Sequence, residues 1–143
     1  MKLHIITIGK PKLAYAQMGW DEYLTRLKRM HTVRITQLSD KYAYDADKIL
    51  DASADTYRVV LDIRGQLLSS EELADFLRDQ TVQAREVSFL IGGPEGLPRE
   101  VRERADLKLS FGRITLPHDL AMVTLLETLY RSSTINLGLP YHK

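Results

Sequence analysis

Short apolar segments that alternate with stretches of helical periodicity constrain this chain more than any other feature. Leu3–Ile8 reads as a buried first strand ending at Gly9, followed by a helix over Ala16–Arg29 that buries Met18, Tyr23, Leu24 and Leu27. Thr32–Leu38 alternates as a second strand, and Lys41–Ala54 reads as a mostly polar helix with Ile49 and Leu50 facing inward. Arg58–Ile63 is a third strand closed by Gly65. Ser69, with Glu72 three residues later, has the spacing of a capping box and opens a helix to Gln80 that turns Leu73, Phe76 and Leu77 inward. Val87–Ile91 is the most apolar strand. Pro98 suits the first position of a short helix to Ala105, Leu107–Ser110 is the fifth strand, and Asp119–Asn136 is the last helix. Strands separated by helices cannot pair as hairpins, so the expected fold class is α/β, a mostly parallel sheet with helices on both faces. No linker, repeat or low-complexity stretch interrupts residues 1–143, which are read as one domain, long enough to bury roughly 70% of its unfolded surface.

Composition narrows the chemistry. The chain has no cysteine, which excludes disulfides, thiolate nucleophiles and thiolate-ligated clusters; no metal site is expected. The apolar run of the opening residues is too short for the core of a signal peptide, and no stretch approaches the roughly 20 apolar residues of a membrane span. A cytoplasmic protein without membrane contact is the expectation. Net charge is +1, but it is unevenly spread: residues 1–39, 40–79 and 80–143 carry +5, −5 and +1. The early excess, Arg26, Lys28, Arg29 and Arg34 with His31 among them, is equally well read as a phosphate-binding patch or as cations offsetting a helix dipole. His4 and His31 are read as surface or packing residues.

Ligands of open parallel sheets bind beyond the carboxyl ends of the strands, so three loops matter. After the third strand comes Leu61-Asp62-Ile63-Arg64-Gly65, in which Asp62 is read as capping a local turn. After the fourth comes Ile91-Gly92-Gly93-Pro94-Glu95-Gly96, whose glycines permit close approach by a flat ligand or simply make a tight turn. This loop lacks the spacing of a dinucleotide fingerprint and the Lys-Ser/Thr ending of a phosphate loop, so the expected ligand carries no polyphosphate. The third loop runs from Phe111 to His118. Pro117 forces Leu116 to be extended, which leaves backbone groups free to meet a ligand edge. Beyond the last helix, Leu137, Leu139, Pro140 and Tyr141 suggest a tail that is tied down and forms a site wall.

Taken together, Leu-Asp-Ile-x-Gly, Phe-Leu-Ile-Gly-Gly-Pro-Glu-Gly, Leu-Ser-Phe-x-x-x-Thr-Leu-Pro-His, Leu-Leu-Glu-x-Leu-Tyr-Arg-Ser and the terminal Tyr-His-Lys resemble the RlmH family over the whole chain. The resemblance implies a SPOUT-type fold with a C-terminal trefoil knot, one of the rare exceptions to unknotted topology. It implies a homodimer that uses S-adenosyl-L-methionine to methylate N3 of pseudouridine 1915 in the 23S rRNA of the assembled ribosome. Carried onto this chain, it places cofactor contacts at Leu61, Gly92, Phe111, Gly112, Arg113, Ile114, Thr115 and Leu116, with Gly92 small because the cofactor lies against it.

A sulfonium methyl is already electrophilic, so the protein's part is alignment and removal of the imide proton, or stabilisation of the resulting anion. His118, His142, Tyr141 and Arg131 are the catalytic candidates. Each also has a structural reading, such as an ordinary i,i+4 pair between Glu127 and Arg131. The family often has an arginine where this chain has Met122, and the stretch from Asp40 to Asp55 is shorter than usual. A non-catalytic RNA- or ribosome-binding module of the same fold is the alternative, and a flavodoxin-like enzyme a third reading.

Overall fold

The computed structural model describes residues 1–143. Its elements in chain order are β1 (Lys2–Ile8), α1 (Ala14–Lys28), β2 (Thr32–Leu38), a 3-10 turn (Asp40–Tyr42), α2 (Ala46–Ala52), β3 (Tyr57–Leu67), α3 (Ser70–Val82), β4 (Val87–Ile91), α4 (Arg99–Glu103), β5 (Leu107–Ser110) and α5 (His118–Leu137). The strands form one sheet in the order β2-β1-β4-β3-β5, and every pairing is parallel. Side chains of successive strand residues point to opposite faces. Leu3, Ile5, Val59 and Phe89 therefore pack under α1, α3 and α5, against Trp20, Leu77, Met122, Leu125 and Leu129. Ile6, Ile8, Val60 and Leu90 pack under α2 and α4, against Ile49, Leu50 and Val101. The expected class, with helices on both faces, is the observed one.

Four local expectations need correction. Met18 is 74% exposed, and Trp20 is the buried aromatic of α1. The buried stripe of α1 runs Ala16, Trp20, Leu27, and a residue two positions from Ala16 lies on the opposite side of a 3.6-residue turn. The helix expected over Lys41–Ala54 breaks in two, because the Asp45 carboxylate accepts the Lys48 N–H at 3.0 Å and starts α2 afresh. Gly65 does not close β3. The strand continues to Leu67 through an irregularity in which both Leu61 and Gln66 face Leu109 of β5. A Cβ at Gly65 would stand 2.6 Å from the Lys108 carbonyl oxygen, so only glycine lets the two backbones approach there. Pro98 is the N-cap of α4, not its first helical residue. The capping box is present as read: the Ser69 hydroxyl accepts from the Glu72 N–H at 3.0 Å, and the Glu72 carboxylate accepts from the Ser69 N–H at 2.9 Å.

Met122 is fully buried beneath the sheet, so the side chain at this position does not reach solvent. Asp119, in the first turn of α5, accepts the backbone N–H groups of Lys12 and Leu13 at 2.8 and 2.7 Å. It thereby ties the start of α1, which has no cap of its own, to the start of α5.

Both early histidines are structural, as read. His4 is 1% exposed, with Nε2 2.7 Å from Thr36 Oγ1; burial, and secondarily the charge of Arg34, lower its pKa. His31 Nε2 lies 2.8 Å from Ser133 Oγ, whose proton goes to the Leu129 carbonyl, so His31 donates from Nε2 and is neutral. Burial, and then the N-terminal ammonium 3.4 Å from Nδ1, lower its pKa to about 4. The unfolded chain therefore binds protons here that the folded chain refuses. Stability contributed by keeping His31 neutral is complete above pH 6.5 and falls as the pH drops toward 4. Allowing for partial solvent screening, urea unfolding should show a loss of about 1 kcal/mol between about pH 7.5 and about pH 5 from this group. His31→Gln should flatten the profile in that window, and an unchanged profile would refute the assignment.

Candidate active site

The loops after β3, β4 and β5 enclose one cleft of about 390 Å³ at the carboxyl rim of the sheet. Leu61 at the end of the regular part of β3, Gly92 after β4, and Phe111, Gly112, Ile114, Thr115 and Leu116 after β5 all line it. Arg113 is the one predicted contact outside the lining; its residue is exposed on the same loop. Ser110 fixes the floor. Its hydroxyl bonds the carbonyls of Ile63 and Gly112 at 3.0 Å and the Gly112 N–H at 3.1 Å, which locks the third loop to the first. Gly112 holds φ +129°, open to glycine and strained for other residues.

Backbone polarity is concentrated here. Outside helices and strands, no backbone hydrogen bond is made by Arg113, Ile114, Thr115 or Leu116, and Pro117, at φ −56° and ψ 150°, holds the chain extended into α5. These N–H and C=O groups are thus available to the polar edge of a ligand. The apolar wall comes from Leu61, Ile91, Leu97, Leu109 and Phe111. Asp62 keeps the capping role read from sequence: its Oδ1 accepts the Arg64 N–H at 3.0 Å.

The fold of its own loop requires Gly92 to be small, whatever lies in the cleft. A Cβ there would meet Gly96 C at 2.5 Å and Leu97 N at 2.6 Å, because the loop folds back on itself through a Gly93–Gly96 bridge. Its hydrogen atom faces the loop's own backbone, which shapes the cleft from behind.

The four catalytic candidates divide into two places. His118, the first residue of α5, lines the cleft, and its Nε2 is enclosed without a hydrogen-bond partner. Arg131, Tyr141 and His142 gather toward the other end of α5, about 20 Å away at 1.5 Å per residue. The tail is tied down as expected, yet it is not a wall of this cleft. Gly138, at φ +68°, ends α5, and the chain folds back so that Tyr141 meets Tyr130 edge-on at 4.7 Å, with Arg131 4.8 Å above the Tyr141 ring.

Glu127 organises the cluster, receiving Arg131 at 2.7 Å and the Tyr141 hydroxyl at 3.1 Å. Arg131 also donates to His142 Nδ1 at 3.1 Å, so Nε2 carries the hydrogen that faces Glu71 at 2.7 Å. Tyr23 of α1 lies 3.1 Å from the Tyr141 hydroxyl. Burial, and then hydrogen bonds to Tyr23 and Glu127, raise the Tyr141 pKa, so this phenol stays protonated and is a donor rather than a base. Two contributors escaped the sequence reading. Arg102 reaches the cleft from a short helix with no periodic signal, and Tyr23 reaches the tail from an element read only as core.

A parallel sheet clad on both faces, with a part-apolar cleft of free backbone groups at its carboxyl rim, defines an α/β protein with its ligand site where such sheets place one, and the family description "Predicted SPOUT methyltransferase" matches residues 1–142. Among solved structures, a "probable methylase family protein" from Haemophilus influenzae superposes with a TM-score of 0.59 at 16% identity, covering 99% of this chain and 70% of that one. A Legionella pneumophila protein described in complex with the bound cofactor SAM gives 0.54 at 17% identity, covering 90% and 65%. Sequence likeness is much closer to proteins named "Ribosomal RNA large subunit methyltransferase H". That of Deinococcus radiodurans is 46% identical, covering 100% of this chain and 99% of the relative, and that of Thermus thermophilus 40%, also covering 100% and 99%. The chain belongs to the SPOUT methyltransferases and, within them, to this ribosomal RNA large subunit methyltransferase H family.

Proposed function

We propose that this chain transfers a methyl group from S-adenosyl-L-methionine to N3 of pseudouridine 1915 in the 23S rRNA of the assembled ribosome, acting in the cytoplasm as a homodimer with a knotted C-terminal part. The observation that carries the reading is the convergence of Leu61, Gly92 and Thr115 on one cleft. Family membership and the names of the full-length relatives support the RNA substrate and the threading of the chain.

The residues present fit the cofactor. The cleft has apolar walls for a purine, unpaired backbone groups for its polar edge, and the enclosed, unpartnered His118 Nε2, without a polyphosphate-binding loop. Leu61, Gly92, Phe111, Gly112, Ile114, Thr115 and Leu116 would hold it, and Arg113 would act from the rim. When bound, S-adenosyl-L-methionine supplies an electrophilic methyl group. The protein's own work is alignment and charge. His118 Nε2 is free to take or share a proton inside the cleft. Arg131 and the protonated Tyr141 offer a cation and a donor to an anionic base edge, with Glu127 and Tyr23 holding Tyr141 in place.

Within one chain these two halves do not meet, which supports a dimer in which the tail of one subunit completes the cleft of the other. Exposed apolar residues are available to a second copy: Leu13 at the N-cap of α1 and Tyr15 and Met18 within it are 56%, 52% and 74% exposed, and Leu120 of α5 is 37% exposed next to the Asp119 tie. No helix is long and apolar enough to cross a membrane.

Calorimetry of the isolated protein should show binding of S-adenosylmethionine or its demethylated product. Mass spectrometry of ribosomal RNA from cells lacking the gene should show one pseudouridine without its methyl group. An unchanged modification map would sink the proposed substrate, and no cofactor binding at millimolar concentration would favour a non-catalytic ribosome-binding module.

A further inference from the structure

Beside the cleft lies a second groove, between β3, α4 and β5, lined by Asp62, Arg64, Arg99, Arg102, Glu103 and Lys108. No hydrophobic residue lines it, and it carries four cations against two carboxylates in a protein whose whole net charge is +1. Three of its residues, Asp62, Arg64 and Arg102, also line the cleft, so the two depressions are continuous.

Salt bridges leave the groove's positive charge largely unspent. Arg99 is paired with Glu103 at 2.6 Å, but Arg64 stands 3.9 Å from Asp62, and neither Arg102 nor Lys108 has a carboxylate within 4.0 Å. Arg102 Nε is enclosed on the shared wall and makes no hydrogen bond. A lysine on an edge strand also discourages strand pairing between molecules, but that purpose does not require arginines from β3 and α4 to converge on it. On the far side of α4 the charge reverses: the depression that includes Asp45, Asp47, Glu100 and Glu103 holds one cation, Arg104. The rim of the cleft is therefore positive toward β5 and negative toward α2.

We propose that this groove is the track on which the phosphodiester backbone flanking the target nucleotide lies, delivering the base into the adjoining cleft from the β5 edge. The proposal rests on the reading of the chain as an RNA-modifying enzyme and adds the direction of approach. Guanidinium and ammonium groups without carboxylate partners, in a groove lined by no hydrophobic residue, suit a chain of phosphates better than the apolar centre of a protein interface. The earlier basic run is less suited: Arg26 is tied to Glu22 at 3.2 Å and Arg34 to Glu86 at 2.9 Å, and the unpaired Lys28 and Arg29 end α1 just before β2 begins, at the amino rim of the sheet opposite the cleft.

The test uses the full-length protein and ribosomes from cells lacking the gene. Lys108→Glu combined with Arg99→Glu, and separately Lys108→Ala, should leave cofactor affinity by calorimetry unchanged, which also shows that the fold survives. The double variant should raise the KM for ribosomes about tenfold or more and flatten the dependence of ribosome binding on log salt by about 1, for the lost Lys108 contact, while the second new carboxylate repels the backbone. Lys28→Glu with Arg29→Glu should change neither. Equal KM and salt slope for the groove variants, or a loss confined to the Lys28 and Arg29 variant, would overturn the proposal. Because the chain has no cysteine, Lys108→Cys gives a single thiol for a benzophenone photocrosslinker. Crosslinks to ribosomal RNA support the track, and crosslinks to ribosomal protein alone refute it. If ribosome binding depends on Lys108 but no methyl group is transferred, the docking surface stands and the catalytic reading falls.

Discussion

Gly92→Leu should abolish detectable cofactor binding in calorimetry and lower stability to urea by about 1–3 kcal/mol, the usual cost of forcing atoms into a packed site. The first added carbon would overlap the backbone of Gly96 and Leu97, at 2.5 and 2.6 Å. Backbone cannot rotate out of the way as a side chain can. The loop after β4 must therefore swing, and Gly93, Pro94, Gly96 and Leu97, all part of the cleft wall, swing with it. The effect is indirect: the leucine need not touch the ligand to destroy its site. A variant that binds with wild-type affinity would show that the loop relaxes freely and that its shape does not define the cleft.

The second large effect concerns the tail. Arg131→Ala removes a cation held by Glu127 and His142 and stacked on Tyr141, at the end of α5 remote from the cleft. It should leave cofactor affinity unchanged while lowering kcat by about 100-fold or more, the scale seen when a preorganised charge is removed from a transition state. If one subunit supplies the cleft and the other the tail, Arg131→Ala and Gly92→Leu subunits are each inactive alone but complementary when mixed. Random reassortment makes half of the dimers mixed, each with one intact site, so mixing should restore about a quarter of wild-type activity. No recovery, with mixed dimers shown to form, would place both halves of the chemistry in one chain.

Much of this protein was legible before its structure. The strands over Thr32–Leu38, Val87–Ile91 and Leu107–Ser110 are as read, and so is the Ser69 cap, because alternation, apolar runs and capping chemistry are local properties of a few neighbouring residues. The same locality explains why the loops were found: parallel strands place their carboxyl ends on one rim, and the residues after Leu61, Ile91 and Ser110 must emerge there.

Several misreadings come from contacts between residues far apart in the chain. Gly65 looked like a strand terminus and is instead the place where β3 and the Lys108 carbonyl pass closest. At Gly92 the contact is local: the space a side chain would need is filled by Gly96 and Leu97, four and five residues on. Met18 looked like core because it is apolar, but the phase of α1 is set by Trp20 and Leu27 docking on the sheet. The convergence of Arg102 of α4 and Lys108 of β5 on one groove has no local signature at all.

The amino-acid sequence by itself determined the α/β class, the three loops and the residue types from which a cleft could be made. Only the tertiary structure decided that the loops share one cleft, that His118 stands in it while Arg131, Tyr141 and His142 gather at the far end of the same helix, and that unpaired cations collect along the β5 edge. Periodicity reports which way a side chain faces within its own element. Distances between elements depend on strand order and on how α5 lies against the sheet, and these emerge only when the sheet assembles and the last helix is laid across it.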